Sequence, residues 1–166
     1  MSTHRTYLAE LRSHSPDILV HPHPSLRAIS SPVTVFGDDL VTFASVMFEM
    51  MRKRGGVGLA ANQVGIRKRV VVVDLSKHMR SEPPIVLVNP VIVKRSLKKA
   101  TFTEGCLSLP GVMMEVSRPS KVTVIYSDVS GVETAIKAEG ILAACLQHEI
   151  DHLDGVLISD YDEPRA

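Results

Sequence analysis

The sequence predicts an α+β fold: mixed, mainly antiparallel β-sheets packed around one long helix near the C-terminal end, with an N-terminal helix. Three observations predict it. An apolar stripe at helical spacing follows Gly37-Asp38-Asp39, β-type runs fill the middle of the chain, and a second helical stretch occupies about residues 139–153. Strands gathered ahead of one late helix fit this class better than repeated βαβ units.

Taken in order, residues 1–16 read as a loosely ordered or weakly helical leader to a single domain spanning residues 1–166. His21-Pro22-His23-Pro24 reads as extended, because the residue before a proline is pushed away from helix. The first strong helix should start after Gly37-Asp38-Asp39, where an aspartate can cap the free backbone amides. Leu40, Phe43, Ala44, Met47, Met50 and Met51 then recur at spacings of three and four, with the methionines as core filling. Gly55-Gly56 stops it. Residues 69–75 contain four consecutive valines, the composition of a strand buried on both faces. Residues 85–94 read as another strand, interrupted at Asn89-Pro90. Residues 121–126 and 132–137 pair across the hairpin-like Ser127-Asp128-Val129-Ser130-Gly131. The last helix ends at Asp154-Gly155.

A chain of 166 residues can build a core without disulfides, burying roughly 70% of its unfolded surface. Net charge is +1, from 19 basic and 18 acidic residues. That balance provides no global field for nucleic acid or an anionic membrane. The basic run Lys94-Arg95-Ser96-Leu97-Lys98-Lys99 lacks the interleaved aromatics of a nucleic-acid surface and reads as a solvated hairpin. Two cysteines, Cys106 and Cys145, make no disulfide framework and read as thiols in a reducing compartment. The first residues carry no apolar signal segment, and no apolar run approaches the ~18 residues of a membrane span. The cytoplasm is the expected setting. Arg5, Arg12 and the scattered serines leave organelle targeting as a weaker alternative, against which Glu10 counts.

The chemistry concentrates in Gln147-His148-Glu149-Ile150-Asp151-His152. On a helix, His148 and His152 project from one face about a turn apart, so both imidazoles can reach one ion. Glu149, next to the first histidine, can take a proton from metal-bound water. The preceding Ile141 to Leu146 stretch is almost wholly apolar, so the helix reads as buried. Unpaired polar groups there would cost roughly 1–3 kcal/mol each, which favours a metal site over chance polar surface. A hydrolytic centre wants three protein ligands and an open position. Cys145 lies seven residues before His152, ~10.5 Å of helical rise, too far for one ion to draw in all three groups; it reads as pocket wall. Cys106, between Gly105 and a turn at Pro110-Gly111, can complete a Cys-His-His set, a structural cysteine in a turn being the alternative.

Three motifs together resemble the peptide deformylases: GVGLAANQ at residues 56–63, EGCLS at 104–108 and QHEIDH at 147–152. The resemblance covers roughly residues 17–160. It implies a metal-dependent hydrolase that removes the N-formyl group from N-formylmethionyl nascent peptides, releasing formate by attack of Glu149-activated metal-bound water on the formyl carbon. It implies Cys106, His148 and His152 as ligands of one divalent ion, Fe2+ natively, with Zn2+, Ni2+ or Co2+ as substitutes. Glu149 would be general base and then acid, with the Gln63 side-chain amide and the Leu107 backbone amide stabilising the oxyanion. The sequence departs from the family at Asn62, where proline is common, a change read as surface-level. It also lacks the further C-terminal helix with which many bacterial members dock on the ribosome, which puts ribosome association in doubt, and its leader is longer than a minimal member's.

A methionine side chain needs an apolar slot, worth ~0.8 kcal/mol per buried CH₂. Ile141, Ala144 and Cys145 share the helix face of His148 and are candidates for its wall, with Phe102 and Gly105 opposite. Val57 and Gly58 can pair with an extended peptide through main-chain hydrogen bonds. Core packing is the alternative for each apolar position. A general metallopeptidase and an inactive peptide-binding module are the competing functions; the EGCLS cysteine argues against the first, and the complete set of reactive residues against the second.

Overall fold

The computed structural model of the chain describes residues 6–14 and 17–161. Among them run helices α1 (Tyr7–His14), α2 (Asp38–Lys53) and α3 (Gly140–Leu153). The strands are β1 (Gly58–Ala60), β2 (Val70–Val73), β3 (Ile85–Arg95), β4 (Lys99–Cys106), β5 (Leu109–Pro119), β6 (Lys121–Ser127) and β7 (Glu133–Glu139). One sheet has the order β1-β2-β3-β6-β7, and β4 and β5 form a separate hairpin. Every strand pairing is antiparallel, in keeping with the α+β class.

The valine run explains how the layers join. Val70 and Val72 face the core beneath α2, while Val71 and Val73 face the core beneath α3. Successive side chains of a strand point to opposite faces, so β2 is buried on both sides as its composition suggests. In α2 the stripe of Leu40, Phe43, Ala44, Met47 and Met51 is buried, and Met50 packs partly against it. The helix ends where Gly55 adopts φ +71° and the Gly56 N–H donates to the Met51 carbonyl at 3.0 Å, a left-handed stop that suits glycine.

Several details differ from expectation. No aspartate side chain caps α2: Gly37 occupies the cap position without a side-chain bond. The Asp39 carboxylate instead accepts the Tyr7 N–H of α1 at 3.0 Å. The leader is also more structured over Tyr7–His14 than expected. Leu11 is buried and Tyr7 stacks on Phe43 with centroids 5.0 Å apart; apolar contacts with α2, not helix propensity, order it. The rest of the expected leader, residues 1–5, 15 and 16, lies outside the described residues. At Asn89, φ 52°, β3 bulges and then continues to Arg95, so the interruption at Asn89-Pro90 is local. The basic run does not turn a hairpin, because β3 pairs with β6 and β4 with β5; residues 96–98 cross from one sheet to the other.

α3 lies between the five-stranded sheet and the β4–β5 hairpin. Leu142, Ala143, Leu146, Ile150 and Leu153 pack on the sheet with Val71, Val73, Val122 and Val124. On the hairpin side Gln147 donates to the Pro119 carbonyl at 3.0 Å. A helix enclosed this way must satisfy every polar group it carries. No helix among the described residues is long and apolar enough to cross a membrane.

Candidate metal centre

β4 reaches α3 at Cys106, where its pairing with β5 shifts register after Gly105. The thiol Sγ lies 3.3 Å from His152 Nε2, and the Nε2 atoms of His148 and His152 are 3.2 Å apart. The three donors all fall within 4.8 Å of one another and could hold a metal ion. Both histidines are buried. Cys145 is not in this group and lines the adjoining pocket instead. Burial pushes its thiol well up, so it stays protonated.

The residues fit a divalent cation. One thiolate and two imidazoles form a donor set suited to zinc or iron. Burial alone would lower the His148 imidazolium, but Cys106, Glu104 and the Glu149 charge outweigh it and lift its pKa to about 10. The pocket thus calls for positive charge, which a cation at Nε2 would supply. His152 is held neutral, well below its ordinary value, by burial and then by the charges of His148 and Arg118. Neutral imidazole is the form that binds metal.

Glu149 is fully enclosed, and burial pushes its carboxyl up to about 7, near where a proton acceptor works best in neutral water. Its Oε1 is 3.9 Å from His148 Nε2, and its Oε2 makes no hydrogen bond. The backbone of Gly58 packs directly on this carboxylate: a Cβ there would sit 2.5 Å from Oε1. Only glycine leaves room for Glu149 in its observed position.

Gln63 reaches the centre from the 3₁₀ turn Ala61–Val64. Its Oε1 accepts the Ala60 N–H at 2.9 Å and its Nε2 donates to Ser108 Oγ at 3.0 Å. Because Oε1 must face a donor, the amide hydrogens are turned toward Ser108 and Cys106 Sγ, 3.9 Å away. Leu107 borders the same pocket.

That pocket has a volume of about 990 Å³. It brings together all seven residues expected to meet substrate: Val57 and Gly58 on one side, Phe102 and Gly105 on the hairpin, and Ile141, Ala144 and Cys145 on α3. Strand β1 is an edge of the sheet, with Gly58 on the pocket wall and its Ala60 N–H taken by Gln63 Oε1. Met113, which sequence reasoning missed, also lines the pocket; a Cβ on Gly105 would lie 2.9 Å from its Sδ.

Two further features escaped the sequence reading. Asn62 is not a surface position: it is 0% exposed, and its side-chain amide donates to the His152 carbonyl. Asn62, inside the 3₁₀ turn Ala61–Val64 that carries Gln63, therefore ties that turn to the end of α3. The second feature is Arg118, 3% exposed, which donates through Nε to both oxygens of Glu104 at 2.9 and 3.0 Å. Glu104 Oε1 in turn stands 3.6 Å from His148 Nδ1. Burial works to raise the Glu104 pKa, but His148 and Arg118 hold it below its ordinary value. Arg118 alternates inward with Val116 on β5, a signal that could have been read had that strand been recognised.

The α+β frame and this cluster define a hydrolase built around one divalent cation, with a buried carboxylate ready to carry a proton. The family model for polypeptide deformylase matches residues 16–165. A peptide deformylase of Rhizobium meliloti is 46% identical over 144 residues, 87% of this chain and 83% of that protein. That of Brucella suis is 48% identical over 144 residues, 87% and 82% of the two chains. The crystal structure of a peptide deformylase from Legionella pneumophila superposes with a TM-score of 0.84 at 44% identity, covering 89% of this chain and 86% of that one. The chain belongs to the polypeptide deformylase family.

Proposed function

We propose that the chain hydrolyses the N-formyl group of N-formylmethionyl peptides and releases formate, acting as one catalytic domain. The observation that carries the reading is the convergence of Cys106 Sγ and the two Nε2 atoms within 4.8 Å, beside a Glu149 carboxylate packed on Gly58.

A divalent cation held by Cys106, His148 and His152 supplies Lewis acidity, which lowers the pKa of water and polarises a carbonyl oxygen. Fe2+ is the native ion in this reading, and Zn2+, Ni2+ or Co2+ also suit the donors. Glu149 takes a proton from the water that adds to the formyl carbon. As the C–N bond breaks, Glu149 returns that proton to the departing nitrogen, so the products are formate and a free amino terminus. Gln63 Nε2 and the Leu107 backbone N–H hold the negative charge that develops on the formyl oxygen. Gly58 at the edge of β1, with Val57 just before it, pairs with the peptide backbone, while Phe102, Gly105, Ile141, Ala144 and Cys145 enclose the methionine side chain. Main-chain pairing of this kind accepts many sequences beyond the first residue, as an enzyme acting on nascent chains requires. A reducing, cytoplasmic setting agrees with Cys106 and Cys145 as free thiols.

Protein prepared without oxygen and loaded with ferrous iron or nickel should release formate from formyl-Met-Ala-Ser. Cleavage of internal peptide bonds with the formyl group left intact would replace this reading with that of a general metallopeptidase.

A further inference from the structure

Behind His148 a chain of polar groups leads away from the donor cluster to the turn that follows α3. Glu104 stands 3.6 Å from His148 Nδ1, and Arg118 Nε holds both Glu104 oxygens. The other side of the guanidinium is engaged by two more groups. Arg118 Nη1 donates to Asp151 Oδ2 at 2.9 Å and to the Tyr161 hydroxyl at 3.2 Å. That hydroxyl donates to the same Asp151 oxygen at 2.7 Å, closing a triangle. The Tyr161 ring also covers the guanidinium, 4.8 Å from its carbon.

The turn carrying Tyr161, Ile158–Tyr161, is itself fastened. Asp160 pairs with both terminal nitrogens of Arg27 at 2.7 and 3.0 Å and accepts the Leu157 N–H at 3.0 Å. Tyr161 is therefore presented to Arg118 from a turn secured to a distant part of the chain. Arg118 needs that support. Its Nη2 makes no hydrogen bond among the described residues, so its orientation hangs on Nε and Nη1 alone. Without the tyrosine hydroxyl, Nη1 would depend on Asp151, a carboxylate 26% exposed and open to competition from water.

We infer that Tyr161 is a positioning residue of the cation site, holding Asp151 and Arg118 so that Glu104 engages His148 Nδ1 and leaves Nε2 free to bind the ion. The carboxylate–histidine pairing orients a ligand and raises its basicity; Tyr161 acts on it through two intervening side chains. The inference rests on Cys106, His148 and His152 holding a cation as proposed above. A turn that only adds stability would leave ion retention untouched.

The test uses zinc-loaded full-length protein and follows transfer of the ion to a chromogenic chelator. Tyr161→Phe should release zinc roughly three- to tenfold faster than the parent, less than the ~10–100-fold typical of removing a direct partner of a metal-bound histidine. Asp151→Asn should act by a similar factor, and the double variant should release little faster than either single one, because both interrupt one network. Val124→Ala, a buried change in the sheet, supplies a variant of lowered melting temperature as control. Release by Tyr161→Phe at the parent's rate, or no faster than by Val124→Ala, overturns the inference, as does a double variant whose effects simply multiply. A parent protein that takes up no zinc, like its Cys106→Ser variant, overturns the cation reading itself and the inference with it.

Discussion

Replacing Gly58 by alanine is the smallest change that reaches the proposed proton carrier. The new Cβ would lie 2.5 Å from Glu149 Oε1 and 2.9 Å from its Cδ and Cγ, where ordinary contact begins at 3.4 Å. The carboxylate must therefore retreat by about 0.9 Å, and a displacement of ~1 Å can cost on the order of 10²-fold in rate. Gly58 is part of an extended strand, so alanine fits its backbone, and the substitution should shift stability by less than ~1 kcal/mol on backbone grounds. We expect kcat/KM for formate release from formyl-Met-Ala-Ser to fall about 10²-fold, with one metal per chain retained and a melting temperature close to the parent's. Activity within about threefold of the parent, a barrier change well under 1 kcal/mol, would refute the reasoning. Loss of metal with the same substitution would show that the strain falls on His148 and not on Glu149.

Gln63→Leu should lower turnover by on the order of 10²–10³-fold while metal content stays near normal; loss of bound metal would remove Gln63 from the oxyanion role. The same change should also lower the melting temperature, because the Ala60 N–H and Ser108 Oγ lose their partner. Asn62→Ala should cost about 1–2 kcal/mol in urea unfolding, since the His152 carbonyl loses a buried donor, and an unchanged midpoint would make that tie idle. The Asp74 carboxyl is held down at about 2, chiefly by Ser76 and then by Arg52. A carboxyl lowered by folding stabilises above its ordinary value and loses that contribution as pH falls through the folded value. The stability difference between the parent and Asp74→Asn should thus be flat above about pH 5 and shrink by on the order of 1 kcal/mol toward pH 2, discounted for solvent screening. A difference that persists unchanged at pH 2 would assign the effect to packing.

Those elements whose signal is local were legible from the chain. The valine run of β2 and the stripe of α2 each follow from a pattern over a few residues and are buried as expected, whereas the apolar start of α3 is buried at Leu142, Ala143, Ala144 and Leu146 but leaves Ile141 53% exposed. The β4–β5 hairpin was not. Its burial is sparse, with Glu104, Val116 and Arg118 as its buried positions away from the connecting turn, and because two of these three inward side chains are charged, the alternation carries no apolar signal that marks a strand pair. Its order comes from pairing along its length and from lying against α3, neither of which a window of sequence can register. The first turn of α2 failed for a related reason. Asp39 can cap in principle, but α1 offers it a backbone N–H, and tertiary contact overrides the local preference.

The same division runs through the site. His148, Glu149 and His152 share one helical turn, so spacing alone relates them. Cys106 and Gln63 come from separate elements: local sequence offered Cys106 as a third ligand with a structural cysteine as the alternative, and only the family resemblance joined Gln63 to the helix. Glu104, Arg118, Asp151 and Tyr161 were beyond both kinds of reasoning, since their meaning lies in mutual distances of about 3 Å across four elements. Yet their presence follows from a simple requirement. A helix enclosed between a sheet and a hairpin cannot hold His148 and Glu149 in place with apolar neighbours alone, because an unpaired buried charge costs more than its packing returns. Arg118 and its carboxylate partners meet that requirement on the hairpin side, and Asn62 ties the far end of the helix on the other. Burial of the reactive helix, which raises the Glu149 carboxyl toward neutrality, is therefore tolerable only with this surrounding network, so the reactivity of Glu149 and the network behind His148 are two consequences of one placement.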